Sequence, residues 1–188
     1  MWQSRLNMHA TLNQLHSLAD VAKLKPTEDD SYTFEGIGLI LCVPPRIGQY
    51  ESTPKNSLSF ARTGGDGVHF SFVLQGTEYT EDSPIVMTVP MAFGGPCNAI
   101  VGENLRDFLA LGCVAGYFAL EQLLYNDRHE FIRELEAGRA DRDHGAKQRQ
   151  LLLSIKRAFG LSPWKSVASR LAELEQRYAS QLIVVEEG

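Results

Sequence analysis

Apolar residues between positions 57 and 102 recur every second residue, and after Gly102 they recur every third or fourth. That change of period constrains the fold more than any other feature of the chain. "SLSFAR" (57–62), "VHFSFVL" (68–74), "PIVMTVP" (84–90) and "CNAIVG" (97–102) read as short strands separated by turn residues. "YTFEGIGLILCV" (32–43) reads as a further strand region stopped by Pro44 and Pro45. Beyond Gly102, "ENLRDFLALG" (103–112) has Leu105, Phe108 and Leu109 on one helical face, with Gly112 as its stop. Strands first and helices second specify an α+β fold, a mainly antiparallel sheet with helices packed on one face.

Helical spacing continues through "AGYFALEQLLY" (115–125), which offers Tyr117, Phe118, Leu120 and Leu124 to a core. "DRHEFIRELEAG" (127–138) is amphipathic, and "RADRDHGAK" (139–147) is a charged connection. "KQRQLLLSIKRAFG" (147–160) ends on a glycine, and "SPWKSVASRLAELEQRYA" (162–179) offers Ser162 as N-cap and Pro163 as first helical residue. An amphipathic helix precedes the strands at 9–24, and the tail "QLIVVEEG" is either an edge strand or a frayed end. Residues 1–125 therefore form an α+β core and 126–188 a helical extension, expected to pack as a single unit.

Charge is uneven. Residues 1–125 carry 7 basic and 13 acidic side chains, whereas 126–178 carry 11 basic and 8 acidic ones. An acidic front half argues against nucleic-acid binding, which needs clustered Lys and Arg; it is compatible with a basic protein partner, and mild acidity also serves solubility alone. No apolar run approaches the roughly 20 residues of a membrane span, and the N-terminus lacks a signal-peptide pattern. These features place the protein in the cytoplasm, away from membranes. Cys42, Cys97 and Cys113 are too scattered for a disulfide framework or a metal clip and read as reduced thiols.

The chain lacks the sequence patterns of a zinc protease, a redox pair, a phosphate-binding loop or a nucleophile elbow. Neither a cofactor nor a metal is expected. "TGGDG" (63–67) is the one stretch that invites a functional reading. A phosphate cradle needs a helix after the glycines, and here a strand follows. Asp66 and His69 could form an acid–base pair, but a plain hairpin turn explains the same residues.

In order, "GGDGVHFSFVL", "SPIVMTVP", "NAIVG" and "ENLRDFLALG" resemble the core of the SMI1/KNR4 (SUKH) superfamily, across about residues 57–112. That resemblance implies an antiparallel sheet flanked by helices. It also implies an immunity-type protein, one that neutralises a bacterial toxin by binding it and without catalysis. The partner contacts would then be Asp66 and His69 on the turn, with Glu78, Glu81 and Asp82 on the next loop. Two other readings stay open. One is a scaffold using an exposed apolar stripe of Leu151, Leu152, Ile155 and Phe159. The other is a small-molecule enzyme using Asp66 and His69.

Overall fold

The computed structural model describes residues 9–21, 31–48, 50–92, 94–140 and 144–184. Six strands form one sheet in the order β1-β2-β3-β4-β5-β6, with every neighbouring pair antiparallel. They are β1 (Ser31–Phe34), β2 (Leu39–Ile47), β3 (Ser57–Arg62), β4 (His69–Val73), β5 (Ile85–Thr88) and β6 (Asn98–Gly102). Helix α1 (Ala10–Val21) precedes them; α2 (Leu105–Ala115), α3 (Arg128–Glu136), α4 (Ala146–Phe159) and α5 (Val167–Tyr178) follow. The α+β class and the order of periods are those of the sequence.

The first strand region proves to be two. Gly38, in the left-handed region at φ 71°, closes a 3-10 turn at 35–37, and β1 folds back on β2. Pro44 and Pro45 do not stop the second strand, because they occupy a register shift between Leu41 and Arg46. A bulge is where a strand tolerates residues that cannot donate to the ladder.

Alternation divides the sheet into two faces. Phe60, Phe70, Phe72, Met87 and Val101 point to one side and join α1, α2 and α4 in the main core. Phe72 packs on Phe60 at 4.6 Å between ring centroids, and Phe70 packs on Phe108 of α2 at 4.8 Å. Leu152, Ile155 and Phe159 of α4 are buried in this core. The apolar stripe expected to be exposed on that helix is therefore spent on folding, and only Leu151 of the four stays partly open. This core also draws residues from both sides of position 125.

The helices do not all pack on one face. Leu174 of α5 meets Val73, Val86 and Ile100, which alternate to the opposite side. The β2–β3 connection lies over the same outer face, where the Asn98 amide donates to Ser52 O at 2.9 Å. The described part of the tail, up to residue 184, docks beside it and forms no strand: Lys55 N donates to Ile183 O at 2.7 Å, and Ile183 N donates to Asn56 Oδ1 at 2.9 Å.

Two helix ends differ from the sequence reading. Helix α2 runs through Gly112 to Ala115, and Gly116 ends it at φ 76°. Gly112 serves close packing instead: a Cβ there would stand 2.2 Å from Cε1 of the buried Tyr117 ring. Helix α5 begins at Val167, well after Ser162 and Pro163. Residues 161–165 remain non-helical, and there the Trp164 indole N–H donates to Asp107 Oδ1 at 2.9 Å.

Candidate functional site: the glycine-rich turn

The β3–β4 connection closes with Thr63 N donating to Val68 O at 3.0 Å and Val68 N donating to Gly65 O at 3.1 Å. Asp66 is the one non-glycine described residue with positive φ, at 47°. Aspartate tolerates the left-handed region better than most side chains because it is short and polar. Gly67, at φ 74°, has a second constraint, since a Cβ there would lie 2.6 Å from Cζ of Tyr50. The turn is thus a hairpin that is also packed from below.

His69 explains that packing. Its Nδ1 lies 2.7 Å from Gly67 O, and its Nε2 lies 3.1 Å from Thr53 Oγ1. A carbonyl only accepts, so Nδ1 carries the proton and Nε2 accepts from the threonine hydroxyl. Tyr50 stacks on the ring at 5.7 Å. Burial pushes the imidazole below its ordinary pKa, partly opposed by the Gly67 bond. His69 is only 6% exposed. It does not offer a face to a partner, as the sequence reading expects; it fixes the turn. Neither ring nitrogen turns to Asp66.

The remaining expected contacts form a second, separate surface. Glu78, Glu81 and Asp82 lie beyond the other end of β4, a five-residue strand about 15 Å long. Glu78 is exposed in a short turn closed on Gln75, and Asp82 is also exposed. Glu81 is committed internally, accepting from Thr11 N at 3.1 Å and Thr11 Oγ1 at 2.6 Å. Asp66 therefore shares no surface with these three.

What the fold places beside Asp66 is the 3-10 segment Phe118–Leu124. Tyr117 N donates to Ile37 O at 2.7 Å and so fastens this segment to the β1–β2 turn. Gly38 leaves room for it, since a Cβ there would stand 2.5 Å from Phe118 N. Phe118 is not a core residue: it is 52% exposed, with its ring edge against Gly65. Burial first, and the Asp66 carboxylate second, push the Glu121 carboxyl above the ordinary range. Tyr125 is raised by burial and then by Glu121 and Asp66. Two carboxylates and two aromatics thus surround one exposed turn. Helical periodicity hides this cluster, because the break at Gly116 rotates Phe118 outward.

On its inner side the same turn roofs a cavity of about 190 Å³ against the outer face of the sheet. Arg46, Tyr50, Ser59, Arg62 and His69 line it together with residues 64–68. Among the described residues, no group of three or more His, Cys, Asp and Glu side chains is placed to hold a metal. No single described helix is long and apolar enough to cross a membrane. The chain matches no protein-family model, no curated protein and no solved structure.

Proposed function

We propose that the chain is a non-catalytic protein-binding module of the immunity type, acting in the cytoplasm, that holds a basic protein partner on the outer side of the glycine-rich turn. The observation that carries this reading is the pairing of Asp66 and Glu121 beside the half-exposed Phe118. Two carboxylates held close together repel, and a cationic side chain placed between them relieves that cost. An exposed aromatic next to such a charge is the usual make-up of a binding hot spot. The resemblance to the SUKH superfamily leads to the same class of function, and a toxin domain is the partner it suggests. The turn suits the role because Gly64, Gly67, Tyr50 and His69 hold Asp66 in one conformation, so little ordering entropy is lost on binding.

The test compares tagged wild-type protein with Asp66→Lys, Phe118→Ser and Glu78→Lys in affinity capture from its native cells, at low and high salt. A stoichiometric basic partner kept by wild type and Glu78→Lys, lost in Asp66→Lys and Phe118→Ser, and weakened by salt supports the reading. Capture unaffected by Asp66→Lys, or recovery of the protein alone, overturns it.

A further inference from the structure

One row of core side chains runs out into the open at the end of the sheet. Ile85, Phe72, Leu58 and Ile47 lie opposite one another on β5, β4, β3 and β2, so all four point to the same face. Ile85 and Phe72 are fully buried and Leu58 nearly so, whereas Ile47 is 70% exposed. A second cavity, of about 490 Å³, lies at this open end. Pro45, Ile47, Leu58, Leu74 and Tyr79 line it on the side of the sheet, and Ile183 lines it from the tail. Ile183 is 57% exposed. Large aliphatic side chains left in water at one place mark a surface that gains by being covered.

The walls are fixed by the protein's own bonds. The Lys55–Asn56 pair clasps the tail: besides the two bonds to Ile183, Asn56 Nδ2 donates to Gln181 O at 2.8 Å. Leu74 N donates to Asn56 O at 2.8 Å, and Gln75 and Glu78 exchange backbone bonds around Gly76 and Thr77. Tyr79 stacks on Phe72 at 4.8 Å. A preformed cavity of this size with apolar walls and few polar groups has the make-up of a small-molecule site, and little ordering entropy is lost in filling it. Among the described lining residues Lys55 is the single charged one, and Thr77 adds a hydroxyl. Both are exposed, so the ammonium stays hydrated at the mouth. Glu78, in the same turn as Thr77, is not a lining residue.

We propose that this cavity binds a fatty carboxylate, its alkyl chain against Ile47, Leu58, Leu74, Tyr79 and Ile183 and its head group at Lys55. The alkyl chain continues the buried row where the fold leaves it bare. Apolar burial is non-directional and scales with area, so chain length sets most of the affinity. The ammonium selects an anionic head over a neutral one, and because it sits in water its share is the smaller. The cavity lies beyond the Val73 end of β4, whereas the glycine-rich turn lies at the His69 end. The site is therefore independent of the protein-binding reading.

The test titrates full-length protein at neutral pH with hexanoate, octanoate, decanoate and decanol, all below micelle-forming concentrations, reading the methyl resonances of Ile47 and Ile183 by NMR. Saturable binding of decanoate with a Kd below about 1 mM is expected. Each two added methylenes should tighten binding by about tenfold or more. Decanol should bind more weakly than decanoate, and Lys55→Gln should remove that difference by weakening decanoate alone, by about threefold to fivefold. Ile47→Ser and Ile183→Ser should each weaken decanoate by about tenfold. Both positions are exposed, so these variants keep their fold. Leu153→Ser, at an exposed leucine on α4 outside the cavity, should change nothing. Ile183→Ser should also leave capture of a basic protein intact, so the two proposals fail separately. Absence of saturation, affinity that ignores chain length, decanol bound as tightly as decanoate, full binding in Ile47→Ser and Ile183→Ser, or an equal loss in Leu153→Ser overturns the proposal.

Discussion

Glu81 caps helix α1 from seventy residues away: its carboxylate accepts from the backbone N and the hydroxyl of Thr11, at 3.1 and 2.6 Å. His9 completes this helix end by accepting from Leu12 N at 3.1 Å through Nδ1. Helix N-termini leave backbone donors without intrahelical partners, and these two side chains satisfy them. Glu81→Ala should therefore lower stability by about 1 kcal/mol. In a double-mutant cycle with Thr11→Val the two losses should be less than additive, because they remove the same bond. Urea midpoints read both, and full additivity would contradict the link.

Gly112 is required by the ring above it. A methyl group at 112 would stand 2.2 Å from Tyr117 Cε1, and Tyr117 is fully buried with its hydroxyl donating to Leu109 O at 3.1 Å. Gly112→Ala should destabilise by about 1–3 kcal/mol despite alanine's better helix propensity. Combining it with Tyr117→Leu should recover part of that loss. A Gly112→Ala protein as stable as wild type in urea would show that the ring moves freely.

Stability should fall as the solution is acidified below neutrality. Burial depresses the pKa values of His9, His16 and His69 below the ordinary 6.5. The unfolded chain then binds more protons than the native one, so unfolding free energy rises with pH in this window. The histidine contribution is complete above about 6.5 and is lost as the pH falls through the depressed native values. Urea midpoints between pH 7.5 and 5 should show this slope, and His69→Gln should flatten it. An equal slope in His69→Gln would remove His69 from the account.

Asp107 ties the start of α2 to the C-terminal helix. It accepts from Glu103 N at 2.9 Å, from the Trp164 indole at 2.9 Å and from Arg170 at 3.0 Å. Arg170 also bonds Glu103 and Glu173. Asp107→Ala leaves a half-buried cation and an indole N–H short of a partner and should cost about 1–3 kcal/mol. It should also shift the Trp164 emission to the red. Glu173→Ala, at the solvent edge of the same network, should leave stability near wild type. Equal losses in the two variants, followed by chemical denaturation, would refute this ranking.

Local pattern carried much of this fold. Strands β3 to β6 lie where alternation places them, and α4 ends on Gly160 at φ 57° as a glycine stop should. The failures share one cause. Pro44 and Pro45 read as a strand end because the ladder they interrupt is invisible without the partner strand. Ser162 and Pro163 read as a helix start because nothing nearby reveals that Trp164 is bonded to Asp107, 57 residues earlier. Phe118 reads as core because one glycine alters its helical phase.

The candidate site follows the same division. That "TGGDG" makes a tight turn with Asp66 at its tip is legible in the sequence, since glycine and aspartate alone settle the backbone there. That His69 is a buried prop is not legible, because Thr53 and Tyr50 reach it from another loop. Nor is the separation of Asp66 from Glu78, Glu81 and Asp82, which sit close in sequence but at opposite ends of β4. The change of period by itself determined an α+β chain with its strands before its main helices, because alternation and helical spacing are properties of neighbouring residues. Only the tertiary structure decided what the turn faces. The bulges at Leu41/Arg46 and Ser59/Ala61 set the register that brings Arg46 and Arg62 together below it. The docking of Phe118–Leu124 on Ile37 sets the Glu121 carboxylate beside it. Both are long-range pairings, whose energy comes from contacts that no local window contains.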